Sequence, residues 1–238
     1  MSAYTNYQIS KKKTNINLKE GEIIMKLLKK QNIEYAQQLK DVMLHWNQLY
    51  KLLIQEFKKY HTNNNIHIVG YKIELVDKLY NCHLRQDNRK VAYEIIELKL
   101  DSVFGKKSPE VIVQNIATIH IPEYKKIGYV FASKYCHFHY PSDFPIFDQH
   151  VRRGLSKLTN NGYSNQDYAK FKKDLDILIS KLDFKITYEE IDTFLWIYGQ
   201  WVLYKKKDIR KKSDFSNEFY HLIENHKEIL EKLDAKFK

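Results

Sequence analysis

The stretch ASKYCHFHYPSDFPIFDQHVRRGL, residues 132–155, decides the fold. Its first part lacks glycine and proline and is rich in apolar side chains, which predicts a buried helix over 127–139. Pro141 and Pro145 then predict a short extended link, because proline fixes φ and disfavours helical backbone before it. Asp148 is a favoured N-cap residue, so the sequence predicts a second helix immediately after the link.

The composition extends this helical prediction to the rest of the chain. Hydrophobic residues make up 43% of the 238 residues, enough to build a real core, but the chain has only 7 Gly and 4 Pro. All-β sandwiches need a turn roughly every 8 to 12 residues, and turns depend on those two residue types. We therefore predict an all-α fold of two helical lobes with a cleft between them. Residues 1–18 are expected to form a flexible basic arm, and residues 19–238 the helical domain.

Apolar spacing and capping signals predict further helices. Residues 33–60 carry apolar side chains at helical spacing, which predicts one long amphipathic helix or two in line. Residues 88–103 predict one helix by the same period. Thr187 followed by Glu190 three residues later is a capping-box pattern and predicts a helix start. A last helix is predicted from residue 216 to the C-terminus.

The charge balance favours a polyanionic partner. The chain has 40 Lys+Arg against 29 Asp+Glu, a net charge of +11, and an isoelectric point near 9.3. Such an excess suits binding to nucleic acid, and it would equally suit an acidic protein or a membrane surface. The compositional bias of an AT-rich genome would also explain it. DNA is the expected partner, and the sequence implies no obligate protein partner.

The cysteines and the hydropathy predict a cytoplasmic protein that does not enter a membrane. Cys82 and Cys136 are far apart in sequence, so they do not form a disulfide framework, and a reducing compartment is expected. The N-terminus lacks an apolar signal core, and no apolar run approaches the length of a membrane span. The Cys and His residues near 136–150 do not match the spacing of zinc ligands, so neither a metal nor another cofactor is expected.

The chemistry offered by residues 132–155 suits cleavage of a glycosidic bond. A carboxylate at Asp148 can stabilise an oxocarbenium-like sugar or activate a nucleophile, and an amine at Lys134 can itself attack the sugar. Arg152 and Arg153 follow on the second helix and can contact phosphates. Such an enzyme needs the target nucleotide extruded from the duplex.

Here the chain resembles the helix-hairpin-helix DNA glycosylases. Residues 147–151 read FDQHV, similar to the VDTHV that surrounds the catalytic Asp in many members of that family. The resemblance covers residues 108–160 and implies that Asp148 is the catalytic Asp and Lys134 the lysine that forms a Schiff base. It also implies possible strand cleavage after base removal. The sequence departs from the family ahead of Lys134, where a stretch with one glycine, Gly128, replaces the glycine-rich hairpin.

The candidate site residues fall into three groups by expected role. They are the catalytic residues Asp148 and Lys134; the DNA-binding residues Lys125, Lys126, His150, Arg152, Arg153 and Lys157; and the residues expected to line a pocket for the extruded base, Tyr135, His139, Tyr140 and Trp196.

The sequence is compatible with three hypotheses for the function. The first is a DNA glycosylase, acting on a damaged base in repair or on a modified base of phage DNA in defence. The second is a non-catalytic nucleic-acid-binding or regulatory helical protein, in which Asp148 is only a helix cap. The third is a helical protein-interaction module or toxin component, whose binding would depend little on salt.

Overall fold

Regular structure in the described part of the chain is entirely helical, which confirms the all-α prediction. The computed structural model describes residues 28–80, 82, 84, 87–121, 127–206 and 215–234. In chain order the helices are α1 Lys30–Val42, α2 Leu44–Lys59, α3 Ile66–Leu79, α4 Asn88–Glu97, α5 Leu100–Val103, α6 Pro109–Ala117, α7 Tyr129–His139, α8 Gln149–Thr159, α9 Tyr168–Ser180, α10 Tyr188–Lys205, α11 Asn217–Asn225 and α12 Lys227–Asp234. The division into two lobes with a cleft stays a prediction.

Two of the sequence predictions lie outside the described residues. These are the basic arm at residues 1–18 and the DNA-binding pair Lys125 and Lys126. Within the described ranges, no helix is both long enough and apolar enough to span a bilayer.

The two strongest capping predictions are confirmed. The Asp148 carboxylate accepts a hydrogen bond from the backbone N–H of His150 at 2.8 Å and so starts α8. At the start of α10, the Thr187 hydroxyl accepts from the Glu190 backbone N–H while the Glu190 carboxylate accepts from the Thr187 N–H. This reciprocal arrangement satisfies two backbone donors that the helix leaves unpaired.

Three of the predicted helical stretches are each divided by one or two residues. The pattern over 33–60 breaks at Met43, whose φ of −83° and ψ of 61° separate α1 from α2. Lys99 has a left-handed φ of 50° and separates α4 from α5. His226 lies between α11 and α12. Apolar periodicity continues across each break because the helices on both sides pack on the same core.

The closest helix packing joins α8 to α10 through two glycines. A Cβ placed on Gly199 would lie 2.0 Å from the His150 carbonyl oxygen, and one placed on Gly154 would lie 2.4 Å from the Leu195 carbonyl oxygen. Real Cβ atoms do not approach oxygen so closely, so only glycine permits this spacing of the two backbones. α10 also packs against α1 on another side and is buried along most of its length.

The helix α7 is buried on all sides, as residues 131–138 show. Helices α2, α3 and α6 pack around it. A helix buried all round normally carries apolar side chains only, but α7 also carries Ser133, Lys134 and His137. Each of these polar groups needs a partner inside the protein, and those partners connect α7 to the link and to α8.

Candidate functional site

The structure brings together the two residues that the sequence predicts to be catalytic. Lys134 Nζ in α7 lies 3.6 Å from Asp148 Oδ2 at the start of α8, and the side chains are 5% and 19% exposed. Lys134 Nζ also donates to the Tyr80 carbonyl oxygen at 3.2 Å and lies 5.3 Å from the centre of the Tyr80 ring. A buried amine and a carboxylate therefore face each other at a helix N-terminus.

Two neighbours of the lysine on α7 hold the link that delivers the carboxylate. The Phe147 N–H donates to the Ser133 hydroxyl at 3.0 Å. His137 Nδ1 donates to the Phe144 carbonyl oxygen at 2.8 Å, so its Nε2 is left to accept the Tyr50 hydroxyl at 3.0 Å. The link is thus tied to α7 at two points, and sequence spacing did not predict either contact.

The Lys134–Asp148 pair is charged at neutral pH. Burial alone would raise the pKa of the Asp148 carboxyl, but Lys134 and His150 lower it below its usual value. Burial alone would lower the pKa of the Lys134 ammonium, but Cys82, Asp148 and Asp192 raise it above its usual value. Burial also raises the pKa of the Cys82 thiol to about 11 and that of Asp192 well above its usual range. Asp148, which lies 3.6 Å from the lysine nitrogen, is its carboxylate partner.

A second lysine–carboxylate pair lies beside the first. Lys40 of α1 donates to the Glu189 carboxylate of α10. Glu189, Asp192 and Trp196 share one side of α10, because residues three and four apart on a helix are neighbours. The groups that interact there form what we call the polar cluster, which comprises Lys40, Lys134, Asp148, Glu189 and Asp192.

Two buried polar atoms at the polar cluster find no hydrogen-bond partner among the described residues. They are Oδ1 of Asp192, whose residue is 8% exposed, and the hydroxyl of Tyr80. Leaving a buried polar atom unpaired costs about 1–3 kcal/mol. Such a cost is expected where a protein keeps polar groups for a ligand.

Stacked aromatic rings extend from the polar cluster towards α8. The Trp46 ring stacks on the Tyr50 ring with centroids 6.0 Å apart, and on the Trp196 ring with centroids 5.8 Å apart. The His150 ring packs edge-on against the Trp196 ring, with the two ring centroids 6.2 Å apart. Trp46 and Trp196 are half-buried. The structure thus places the predicted pocket residue Trp196 against His150, two residues after Asp148, and adds Trp46, whose ring centre lies 5.7 Å from Lys40 Nζ.

The other predicted pocket residues belong to a different network. Tyr135 is fully buried, and its hydroxyl donates to Asn63 Oδ1 at 2.6 Å. His139 Nε2 lies 3.2 Å from Lys72 Nζ, and burial together with Lys72 holds the pKa of His139 well below its usual value. Tyr140 is 44% exposed. The burial of Tyr135 argues against a stacking role, because its ring has no open face.

The predicted DNA-binding residues on α8 differ in their availability. The Arg152 guanidinium lies 4.6 Å from the centre of the Phe147 ring, and its Nη1 donates to the Tyr163 carbonyl oxygen at 3.5 Å. Arg153 donates to Nδ1 of the buried His150 at 3.0 Å. Lys157 is exposed. Arg152 and Arg153 are therefore engaged in contacts within the protein, whereas the exposed Lys157 is available to contact a phosphate.

A third buried lysine lies on the far side of α7. Lys72 is 0% exposed, and its Nζ donates to the Thr62 carbonyl oxygen and to Asn63 Oδ1, both at 2.9 Å. Asn63 in turn donates to both carboxylate oxygens of Asp101, at 2.8 and 2.7 Å. Burial lowers the pKa of Lys72 to about 7, although Asp101 opposes the shift.

Lys72 makes the stability of the fold depend on pH. Above its folded pKa of about 7 the native lysine has lost a proton that the unfolded chain keeps up to about 10.5, so the free energy of unfolding should rise with pH across this window. The slope from this group approaches about 1.4 kcal/mol per pH unit. Urea unfolding at pH 7 to 9.5 should show a flatter dependence for Lys72→Met than for the wild type. Lys78→Met, an exposed change on the same helix, should keep the wild-type slope, and equal slopes in all three proteins would refute this assignment.

The described residues do not assemble a metal site. Among them, no group of three or more His, Cys, Asp and Glu side chains is arranged to hold an ion. The polar cluster is instead an arrangement of amines and carboxylates suited to proton transfer and nucleophilic attack.

Comparisons with known proteins match part of the chain. The family model HI_0787_N, described as an N-terminal domain, matches residues 27–143. An uncharacterized protein of Haemophilus influenzae is 29% identical over 101 residues, which is 41% of this chain and 49% of the relative. The chain thus aligns with about half the length of that relative. The family match contains Lys134 and ends before Asp148. No solved structure matches.

Proposed function

We propose that this protein is a DNA glycosylase that uses Lys134 as nucleophile and Asp148 as its charged partner. The observation that carries the proposal is the 3.6 Å approach of Lys134 Nζ to Asp148 Oδ2, with both groups largely removed from water. A buried amine beside a carboxylate suits attack on an electron-poor sugar carbon, since low dielectric strengthens each charge interaction at the reacting atoms.

The reaction starts from the charged pair. The Lys134 ammonium passes one proton to the Asp148 carboxylate, and the neutral amine attacks C1′ of the extruded nucleotide. The bond between C1′ and the base nitrogen breaks, and the base takes the electron pair. Ring opening of the sugar then leaves an iminium, the Schiff base, between Lys134 and C1′. An iminium at C1′ also permits strand cleavage, which would add lyase activity.

The surroundings of the pair support a pocket for a base. Lys134 is too deeply buried to be reached by duplex DNA, so the nucleotide must leave the stack. The half-buried Trp196, which stacks on Trp46, lies on the same side of α10 as Asp192 and is the candidate stacking partner of an extruded base. The unpartnered atoms of Asp192 and Tyr80 offer polar contacts to a base edge. Both an oxidised or alkylated base in repair and a modified base of phage DNA are candidate substrates.

The net charge of +11 supports DNA as the partner. Exposed lysines such as Lys157 on α8 would contact phosphates, while Lys125 and Lys126 remain predicted contacts outside the described residues. Binding through such contacts should weaken steeply as salt is raised. A cytoplasmic enzyme would meet this substrate directly.

Borohydride trapping tests the proposed nucleophile without knowledge of the excised base. Wild-type protein is mixed with a duplex that carries one abasic site, and borohydride reduces any iminium to a stable amine. We expect a covalent protein–DNA band for the wild type and for Lys185→Gln, an exposed control, and its loss in Lys134→Gln. Circular dichroism checks that Lys134→Gln is folded. Undiminished trapping by folded Lys134→Gln, or none by the wild type, would rule Lys134 out as the nucleophile.

The low exposure of the pair also favours a second candidate function. A buried ion pair can have a purely structural role, which here would be to specify how α7 packs on α8. The protein would then be a non-catalytic nucleic-acid-binding or regulatory protein. In that case the wild type would show salt-sensitive DNA binding but neither trapping nor base release.

A further inference from the structure

Asp192 is the surplus carboxyl of the polar cluster. The cluster contains two lysines and three carboxyl groups, and each lysine already has a carboxylate partner: Lys40 pairs with Glu189 and Lys134 with Asp148. Asp192 lies in the middle of α10, is 8% exposed, and has one oxygen without a hydrogen-bond partner among the described residues.

Charged and titratable groups face Asp192 from every side. They are Lys40 of α1, Tyr50 of α2, Tyr80 after α3, Lys134 of α7, Asp148 at the start of α8 and Glu189 on α10 itself. Burial and the negative charge of Asp148 raise the pKa of Asp192 well above its usual value, and Lys134 and Lys40 only partly oppose the shift. The raised pKa of Asp192 favours the protonated form of its carboxyl, and a protonated carboxyl can donate a proton.

We propose that Asp192 is a catalytic residue that protonates the departing base. The inference rests on the glycosylase function proposed above and is carried by the place of Asp192. It is a buried carboxyl that interacts with the Lys134–Asp148 pair, lies one helical turn from Trp196, and has one oxygen without a hydrogen-bond partner among the described residues. A base that stacks on Trp196 would lie next to this carboxyl. The lysine would attack C1′ while the acid acts on the leaving group.

The proton transfers balance over the reaction. The Lys134 ammonium gives a proton to the Asp148 carboxylate, and the amine forms a bond to C1′. The bond from C1′ to the base nitrogen breaks as that base receives the Asp192 proton, so it leaves neutral. The secondary ammonium on C1′ then returns a proton to the Asp192 carboxylate. Asp148 gives its proton to the sugar ring oxygen as the ring opens, which restores both carboxyl groups and leaves the iminium.

This role predicts a dependence on the leaving group. An ordinary or oxidised base would leave as an anion unless it is protonated, so its departure needs the acid. N7-methylguanine already carries a positive charge and leaves as a neutral base without any added proton. Attack of Lys134 on a site that is already abasic needs no proton from Asp192 either. Asp192 should therefore speed the excision of an ordinary or oxidised base, but not the excision of N7-methylguanine or the attack of Lys134 on an abasic site.

The test compares Asp192→Asn with wild type on three duplexes, which carry 8-oxoguanine, N7-methylguanine or an abasic site. Asn is nearly isosteric with the neutral acid but is not an acid, and Asp183→Asn is an exposed control. Under single-turnover conditions we expect Asp192→Asn to excise 8-oxoguanine about 10²–10⁴-fold more slowly. Excision of N7-methylguanine and borohydride trapping at the abasic site should match the wild type.

Each outcome assigns the failure to one proposal. Normal 8-oxoguanine excision by Asp192→Asn overturns the proton-donor role and leaves the glycosylase intact. Loss of abasic-site trapping as well as excision also overturns it, because Asp192 would then only position Lys134. Trapping by the wild type without release of either base overturns it too, since no departing base is protonated. Absence of trapping and release in the wild type overturns the glycosylase proposal itself.

Discussion

Gly199→Ala is expected to lower the free energy of unfolding by about 3 kcal/mol or more and to remove the function of the site. The new Cβ would lie 2.0 Å from the His150 carbonyl oxygen, and a backbone atom cannot move aside as the end of a side chain can. Overpacking of a core typically costs about 1–3 kcal/mol, and this contact lies at the upper end because two helices must separate. The displaced helix is α8, which carries the cap residue Asp148.

Thermal and urea unfolding of Gly199→Ala measure this effect. For a chain of this size, about 3 kcal/mol corresponds to a Tm lower by roughly 6–12 °C. Gly70→Ala is the matched control, because Gly70 lies inside α3 and an added Cβ meets nothing within 4 Å. That change should stabilise the protein by about 0.5–1 kcal/mol, since alanine favours the helix more than glycine does. A Tm unchanged in Gly199→Ala would show that α8 and α10 are not packed as closely as described.

Asp148→Asn is expected to reduce base excision by about 10²–10⁴-fold and also to lower the free energy of unfolding, because the buried Lys134 ammonium loses its counter-ion. Asn is an equally good N-cap, so the hydrogen bond to the His150 N–H and the start of α8 should survive. The change removes the negative charge 3.6 Å from Lys134 Nζ, and with it the group that accepts the ammonium proton and stabilises the sugar cation. The defect should therefore appear in the chemical step.

Alkali cleavage of abasic sites measures the excision rate of Asp148→Asn on DNA with damaged bases and on heavily modified phage DNA. Asp87→Asn is a matched control, because Asp87 caps α4 through the same contact, from its carboxylate to the Arg89 N–H two residues on. Asp87→Asn should excise as fast as the wild type. Equal rates for Asp148→Asn and the wild type would reduce Asp148 to a structural cap.

The helical elements were largely predictable because their signals are local. Capping by Asp148 and the Thr187–Glu190 box follow from short sequence patterns that satisfy nearby backbone N–H groups. The sequence left open whether residues 33–60 form one helix or two, and it did not predict the break at Lys99. Nothing in the residue types there forbids a helix, and the backbone turns because the helices on either side find better packing in different directions.

The candidate site was predictable only where its residues are close in sequence. Lys134 and Asp148 flank one short link, so a motif could suggest both. Asp192 and Trp46 join them from α10 and α2, and no local pattern distinguishes these residues from other members of a helix face. Tyr135 adjoins Lys134 in sequence, but its side chain is fully buried in the core, a placement that depends on the helices packed around α7.

By itself the sequence determined the helical class, the helix starts, the excess of positive charge and the pairing of an amine with a carboxylate across one link. Only the tertiary structure decided which face of α7 meets Asp148, that Gly154 and Gly199 let α8 approach α10, and that a third carboxyl is left without a cation. The physical reason is that capping and periodicity act within a few residues. Burial, pKa shifts and close helix packing depend instead on what other helices bring to the same place.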